Sequence, residues 1–196
     1  MNLANKLTIS RIVLTFVFMF FLFSKGIVFK TLALVVFIIA TWTDYLDGYL
    51  AKKRNEISDF GRLMDPIADK ILVIAAFLAF VEMKLVPAWI IVIIIFREFT
   101  ITGLRLIALV KGKVIEAEMA GKHKTISQMV SIYMILFFIV FKEYSANMFG
   151  FWNENLEFLL KNIIFYMMIL TALLTLISGI SCLVKNKRFF INAKNK

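Results

Sequence analysis

Four aspartates, Asp44, Asp47, Asp65 and Asp69, stand inside or beside apolar runs long enough to be membrane helices. An ionised carboxylate in a low-dielectric setting is costly unless something positive meets it. Asp44 and Asp47 are three apart and Asp65 and Asp69 four apart, so on helices each pair shares a face. Gly48 and Ala51 continue the face of Asp44, and Gly61 that of Asp65. Small residues there let a second helix, or a ligand's phosphates, come close. Four carboxylates facing one another across two helices repel strongly unless divalent cations sit between them, and hard oxygen donors select Mg²⁺, Mn²⁺ or Ca²⁺ over zinc. A pair of such ions can neutralise a pyrophosphate, stabilise a leaving phosphate and orient an attacking oxygen. The competing reading pairs the aspartates with Lys52, Arg54, Arg62 and Lys70 as interfacial salt bridges. That accounts for one or two carboxylates rather than for four at helical spacing.

Composition supports a membrane setting, because 61% of the 196 residues are hydrophobic. Pro66 and Pro87 are the only prolines and no low-complexity linker interrupts the chain, so 1–196 reads as a single membrane domain. Cys182 stands in an apolar run and suits packing rather than redox chemistry. The formal net charge of +10 fits either nucleic-acid binding or a basic cytoplasmic membrane face. Most Lys and Arg residues cluster between apolar runs, which excludes nucleic acid as a partner. The basic, aromatic tail 185–196 suits contact with membrane lipids.

The pattern predicts an all-α polytopic membrane protein. Residues 2–11 read as an N-terminal interfacial amphipathic helix with Leu3 and Leu7 toward lipid, lacking the cleavage pattern of a signal peptide. Six transmembrane helices follow over 12–23, 30–53, 61–81, 87–110, 125–141 and 158–184. An even count puts both termini on one side. Lys52, Lys53, Arg54, Arg62, Lys111, Lys113, Lys122, Lys124 and the tail lie on that side, which makes it cytoplasmic, in the cell inner (plasma) membrane. At about 1.5 Å per residue, Asp44 lies roughly 20 Å along its helix from Lys30 and Asp69 roughly 12 Å from Gly61. Both pairs thus fall in the cytoplasmic half of the bilayer.

The fourth span carries Arg97, Glu98 and Arg105. Arg97 is ten residues beyond Pro87, near the bilayer midplane, where an unpaired arginine is costly and needs an anion. Arg105 lies about 80° around the helix from Arg97, so both can face one cavity. Lys122 and Lys124 stand at the mouth of the fifth span. These four cations make a second anion-binding pocket, suited to an acceptor that bears its own phosphate. Otherwise Arg97 pairs with Glu98 or an aspartate and the lysines belong to a solvated loop. His123 has no second histidine and reads as an exposed loop residue. Spans five and six carry little beyond hydrophobicity.

The spacing Asp44-x2-Asp47-Gly48-x2-Ala51-Lys52-x8-Gly61-x3-Asp65-x3-Asp69 fixes eight positions over 26 residues. It resembles the signature of the CDP-alcohol phosphotransferases, integral membrane enzymes that join a CDP-activated lipid to an alcohol with release of CMP. Lys52 stands where that family usually has arginine; lysine keeps the charge but gives up the two-pronged phosphate contact. The resemblance implies that Asp44, Asp47, Asp65 and Asp69 hold two Mg²⁺ or Mn²⁺ ions, with Asp69 also the catalytic base. It implies a cytidine nucleotide site at Asp47, Gly48, Ala51, Lys52 and Gly61. Asn5, Thr8 and Arg11 are similar to the family's interfacial helix, which packs over that site, with Asn5 toward the nucleotide.

The stretches REFTITGLR and GKHKTISQM are similar to those of the bacterial phosphatidylglycerophosphate synthase branch, whose acceptor is glycerol 3-phosphate. In that branch the acceptor's phosphate is bound at positions matching Arg97, Arg105, Lys122 and Lys124. The implied partners are CDP-diacylglycerol, glycerol 3-phosphate and a second copy of the chain in a homodimer. The rival readings are the same chemistry with inositol phosphate, serine or phosphatidylglycerol as acceptor, and a cation transporter. A basic pocket at Arg97 and Arg105 opposes the last, because it repels a permeating cation.

Overall fold

The computed structural model describes the backbone of residues 3–54, 59–110, 119–148 and 153–186, and the side chains of 9–43, 70–108, 121–145 and 153–186. Every regular element among them is a helix: α1 (Leu3–Phe23), α2 (Ile27–Arg54), α3 (Asp59–Glu82), α4 (Ala88–Val110), α5 (Met119–Met148) and α6 (Glu154–Lys185). Helix is the form in which an isolated apolar segment satisfies its own backbone polar groups away from water. The turns between helices have local causes. Gly26, at φ +103°, supplies the left-handed residue between α1 and α2. Lys84 takes the same region at φ 57°, while the Leu85 N–H donates to the Phe80 carbonyl at 2.9 Å to close α3. Asn153 caps α6, its side-chain oxygen accepting from the Asn155 N–H.

Two boundaries differ from the sequence expectation. Residues from Leu3 onward form one unbroken helix with 12–23, so no separate N-terminal helix exists as an element. Neither Gly nor Pro stands between Asn5 and Arg11 to end a turn, and the Thr15 hydroxyl folds back onto the Arg11 carbonyl at 2.9 Å. Helix α5 begins at Met119, before the expected start, and this places Lys122 and His123 on exposed helical positions rather than in a loop.

Helix α1 packs on α2 and α3; α5 packs on α2, α3 and α6; α4 packs on α3 and α6. The fully buried Phe18, Phe37, Phe77, Phe80, Ile90, Ile94, Ile132 and Ile164 fill the interior. Phe37 bridges α1 and α5, with its ring centroid 5.4 Å from that of Phe18 and 5.4 Å, edge-on, from that of Tyr133. Between α5 and α6 the contact is made by small and hydroxylated residues. The Ser131 and Thr171 hydroxyls lie 2.8 Å apart, while Ser178 and Gly179, further along α6, meet α4. Such residues let helix backbones approach where lipid removes the hydrophobic drive for association.

The outward faces are apolar. Phe16, Trp42, Phe96 and Phe158 are each at least 70% exposed, an arrangement that water disfavours and hydrocarbon does not. Gly121–Ser145 and Glu154–Lys185 are long and apolar enough to cross a bilayer, and Ile9–Phe23 and Ile27–Thr43 are shorter apolar helices.

Candidate active site

Helix α2 carries Asp44, Asp47, Gly48, Ala51 and Lys52, α3 carries Gly61, Asp65 and Asp69, and α1 carries Asn5 and Thr8. The side chains of all ten lie outside the described residues. Among the described residues, no group of three or more His, Cys, Asp or Glu side chains is placed to hold a metal ion. The four aspartates are the residues that would hold a metal ion. Their chemistry, carboxylate oxygens alone on two helices, fits a hard divalent cation such as Mg²⁺ or Mn²⁺.

The described side chains begin again at Lys70, next to Asp69, and Lys70 turns toward α4. Its ammonium donates to the Thr102 hydroxyl and lies 3.6 Å from Glu98 Oε2. Glu98, 6% exposed, is the centre of a buried polar cluster drawn from four helices. Its Oε1 forms an ion pair with Lys124 of α5, lies 3.3 Å from Arg97 Nη1, and accepts from the Gln128 amide at 3.5 Å. The spacing of Lys124 and Gln128, four residues on one helix, brings both to the same carboxylate.

Arg97 is held from the far side by α6. Its Nη2 donates to the Ser178 hydroxyl at 2.8 Å, and its stem crosses Gly179 so closely that a Cβ there would fall 2.9 Å from Cγ. The remaining donor, Nε, is buried and has no hydrogen-bond partner among the described residues.

Lys70, Arg97 and Lys124 thus meet one carboxylate, and among the described residues the cluster carries more positive than negative charge. Burying charge costs several kcal/mol per ion even after relaxation, so an excess of this kind favours an incoming anion. Of the four cations expected to bind phosphate, Arg97 and Lys124 converge on Glu98, while Arg105 and Lys122 are exposed. Arg105 is near enough to Lys70 to repel it electrostatically. The local Arg97–Glu98 pair does form, yet Lys124 is 5% exposed and belongs to no solvated loop. Lys70, weighed from sequence as a partner for the aspartates, pairs with Glu98 among the described residues.

Sequence reasoning missed Glu98 as the centre, and with it Gln128, Thr102, Ser178 and Gly179. The one local signal was the Lys124–Gln128 spacing. Helix α6 contributes more than hydrophobicity, since it fixes the Arg97 guanidinium.

A family model described as CDP-alcohol phosphatidyltransferase matches residues 1–177. A Bacillus subtilis (strain 168) protein named CDP-diacylglycerol--glycerol-3-phosphate 3-phosphatidyltransferase is 42% identical, over 69% of this chain and 76% of its own length. A Rickettsia bellii protein of the same name is 32% identical over 96% of this chain and 97% of its own. A probable phosphatidylglycerophosphate synthase of Mycobacterium tuberculosis (strain H37Rv) is 40% identical, over 67% of this chain and 64% of its own. The chain belongs to the CDP-alcohol phosphatidyltransferase family.

Proposed function

We propose that this protein transfers the phosphatidyl group of CDP-diacylglycerol to the 1-hydroxyl of glycerol 3-phosphate, giving phosphatidylglycerophosphate and CMP. Relatives named for this reaction support it. The observation that carries it in the structure is the partly buried, cation-rich cluster of Lys70, Arg97 and Lys124, a setting for an acceptor that brings its own phosphate.

In this mechanism the acceptor's phosphate lies against Arg97 and Lys124, with Arg105 and Lys122 drawing it in from the cytoplasmic water. That binding holds the acceptor hydroxyl toward α2 and α3, and proximity of this kind supplies much of the rate. Asp69 takes the hydroxyl proton as the oxygen attacks the phosphorus that carries diacylglycerol. The bond from that phosphorus to the bridging oxygen breaks, and CMP leaves with that oxygen. Asp44, Asp47, Asp65 and Asp69 would hold two Mg²⁺ or Mn²⁺ ions, which when bound neutralise the pyrophosphate and stabilise the leaving phosphate. Asn5, Asp47, Gly48, Ala51, Lys52 and Gly61 form the cytidine nucleotide site.

The six helices span the inner (plasma) membrane with both termini cytoplasmic, the first turns of α1 lying along the interface. The exposed aromatic faces and the cytoplasmic bias of Lys and Arg support this topology. The protein works as a homodimer, as its family implies.

The test is an acceptor panel with purified protein, Mg²⁺ and CDP-diacylglycerol, reading CMP release and lipid product. Glycerol 3-phosphate is expected to be the preferred acceptor. Success with inositol phosphate, serine or phosphatidylglycerol, and failure with glycerol 3-phosphate, would remove the acceptor assignment. Metal flux into liposomes without CMP release would remove the enzyme assignment.

A further inference from the structure

We propose that Glu98 is a positioning residue for the acceptor. It gathers part-buried Lys70 with the more deeply buried Arg97 and Lys124 into one set whose unbalanced charge is matched to a phosphate monoester. The inference rests on the acceptor reading above and assigns the work of that site to a residue that does not itself touch substrate.

The three cations come from three different helices, α3, α4 and α5, and all converge on this one carboxylate. Like charges held a few ångströms apart in a poorly solvated interior repel strongly. Glu98 offsets that repulsion before any substrate arrives, and so keeps the set assembled in the free enzyme. It does so incompletely, since among the described residues one negative charge faces three positive ones. A phosphate monoester carries close to two negative charges at neutral pH, which suits the remainder. A neutral hydroxyl compound or a zwitterion does not.

Hydrogen bonding leads to the same place. Glu98 Oε1 is already shared among Lys124, Arg97 and Gln128. Arg97 is held by Glu98 on one side, by Ser178 on the other and by Gly179 beneath its stem, and this leaves its buried Nε without an acceptor among the described residues. A buried donor with no acceptor is expensive, and an acceptor phosphate oxygen relieves it. Glu98 also reaches Lys70, the neighbour of Asp69, so one carboxylate sets the cation set relative to the helix that bears the proposed base.

The experiment uses the full chain in detergent micelles with CDP-diacylglycerol and Mg²⁺. Glycerol 3-phosphate and CDP-diacylglycerol are varied separately for the native protein, Glu98→Gln, Glu98→Asp and Gly179→Ala. The expected result for Glu98→Gln is a KM for glycerol 3-phosphate raised about tenfold or more, with the KM for CDP-diacylglycerol unchanged. Glu98→Asp recovers part of the loss. Gly179→Ala, which forces the Arg97 stem aside, raises the same KM and leaves the other unchanged.

An unaltered glycerol 3-phosphate KM in a folded Glu98→Gln protein overturns the proposal, as does an equal rise for both substrates. If Glu98→Gln does not fold, Gly179→Ala decides, and an unaltered acceptor KM there overturns it. Failure of the native protein with glycerol 3-phosphate overturns the acceptor reading as well, and is distinguished from the other outcomes by appearing before any substitution is made.

Discussion

The Tyr133 hydroxyl of α5 lies 2.6 Å from the Thr41 hydroxyl of α2, three residues before Asp44. The Thr41 hydroxyl also lies 3.0 Å from the Phe37 and Ile38 carbonyls, and either hydroxyl of the Thr41–Tyr133 pair can be the donor. This bond ties the helix that carries Lys124 to the helix that carries the first two aspartates. It holds the two helices together three residues before Asp44, one of the proposed metal ligands.

Tyr133→Phe keeps the ring edge-on to Phe37 and deletes only that bond. The expected loss of stability is about 0.5–1 kcal/mol, near the mean for a hydrogen bond between membrane helices. Because the tie lies beside Asp44, kcat falls several-fold while the KM for glycerol 3-phosphate stays. Thermal unfolding in detergent and steady-state rates check the two parts. An unchanged kcat with a lowered melting temperature would make the bond purely structural.

Phe37 and Phe96 separate interior packing from lipid contact. Phe37 is fully buried between Phe18 and Tyr133, whereas Phe96 is 72% exposed on α4. Phe37→Ala opens a cavity that lipid cannot fill and is expected to cost about 3–5 kcal/mol. Phe96→Ala exchanges one lipid contact for another and is expected to stay within about 0.5 kcal/mol. Unfolding of both variants in the same micelles tests the contrast, and equal losses would contradict a lipid-facing Phe96.

The contrast also marks what the sequence made legible. Apolar runs located all six helices, because length and hydropathy are local properties. Helix ends were less legible, since Met119–Lys124 is polar without containing a helix breaker that stops α5, and Asn5–Arg11 likewise continues into α1. The aspartate signature was legible because its members sit at helical spacings within one stretch of chain. The Glu98 cluster was not, for the opposite reason. Its members come from α3, α4, α5 and α6, and beside Arg97 a lone glutamate looks like a local ion pair. Gly179 carries no signal at all until Arg97 is seen lying across it.

Chelation tests the donor set of the four aspartates. Treatment with EDTA is expected to abolish CMP release, and Mg²⁺ or Mn²⁺ to restore it, because the carboxylate oxygens prefer hard ions. Zn²⁺, which favours nitrogen and sulfur ligands, is expected to restore little. Calorimetric titration of Mg²⁺ into the metal-free protein gives a readout independent of turnover, and Asp44→Asn or Asp65→Asn should weaken it. Full activity in EDTA would contradict a metal-dependent transfer.

Asp69→Asn distinguishes the proposed base from the other carboxylates. The amide has nearly the size of the carboxylate but cannot accept the proton of the attacking hydroxyl. Its neighbour Lys70 keeps its own anchors on Thr102 and Glu98, so α3 retains its place beside α4. Turnover is expected to fall by about 10² to 10⁴, the usual range for a positioned base. Binding of CMP in the presence of Mg²⁺ should survive in part, because Asp44, Asp47 and Asp65 remain. Asp47→Asn is expected to weaken CMP and Mg²⁺ binding along with the rate. Calorimetry with CMP beside single-turnover rates separates the two patterns. A near-native rate in Asp69→Asn would move the base to another residue.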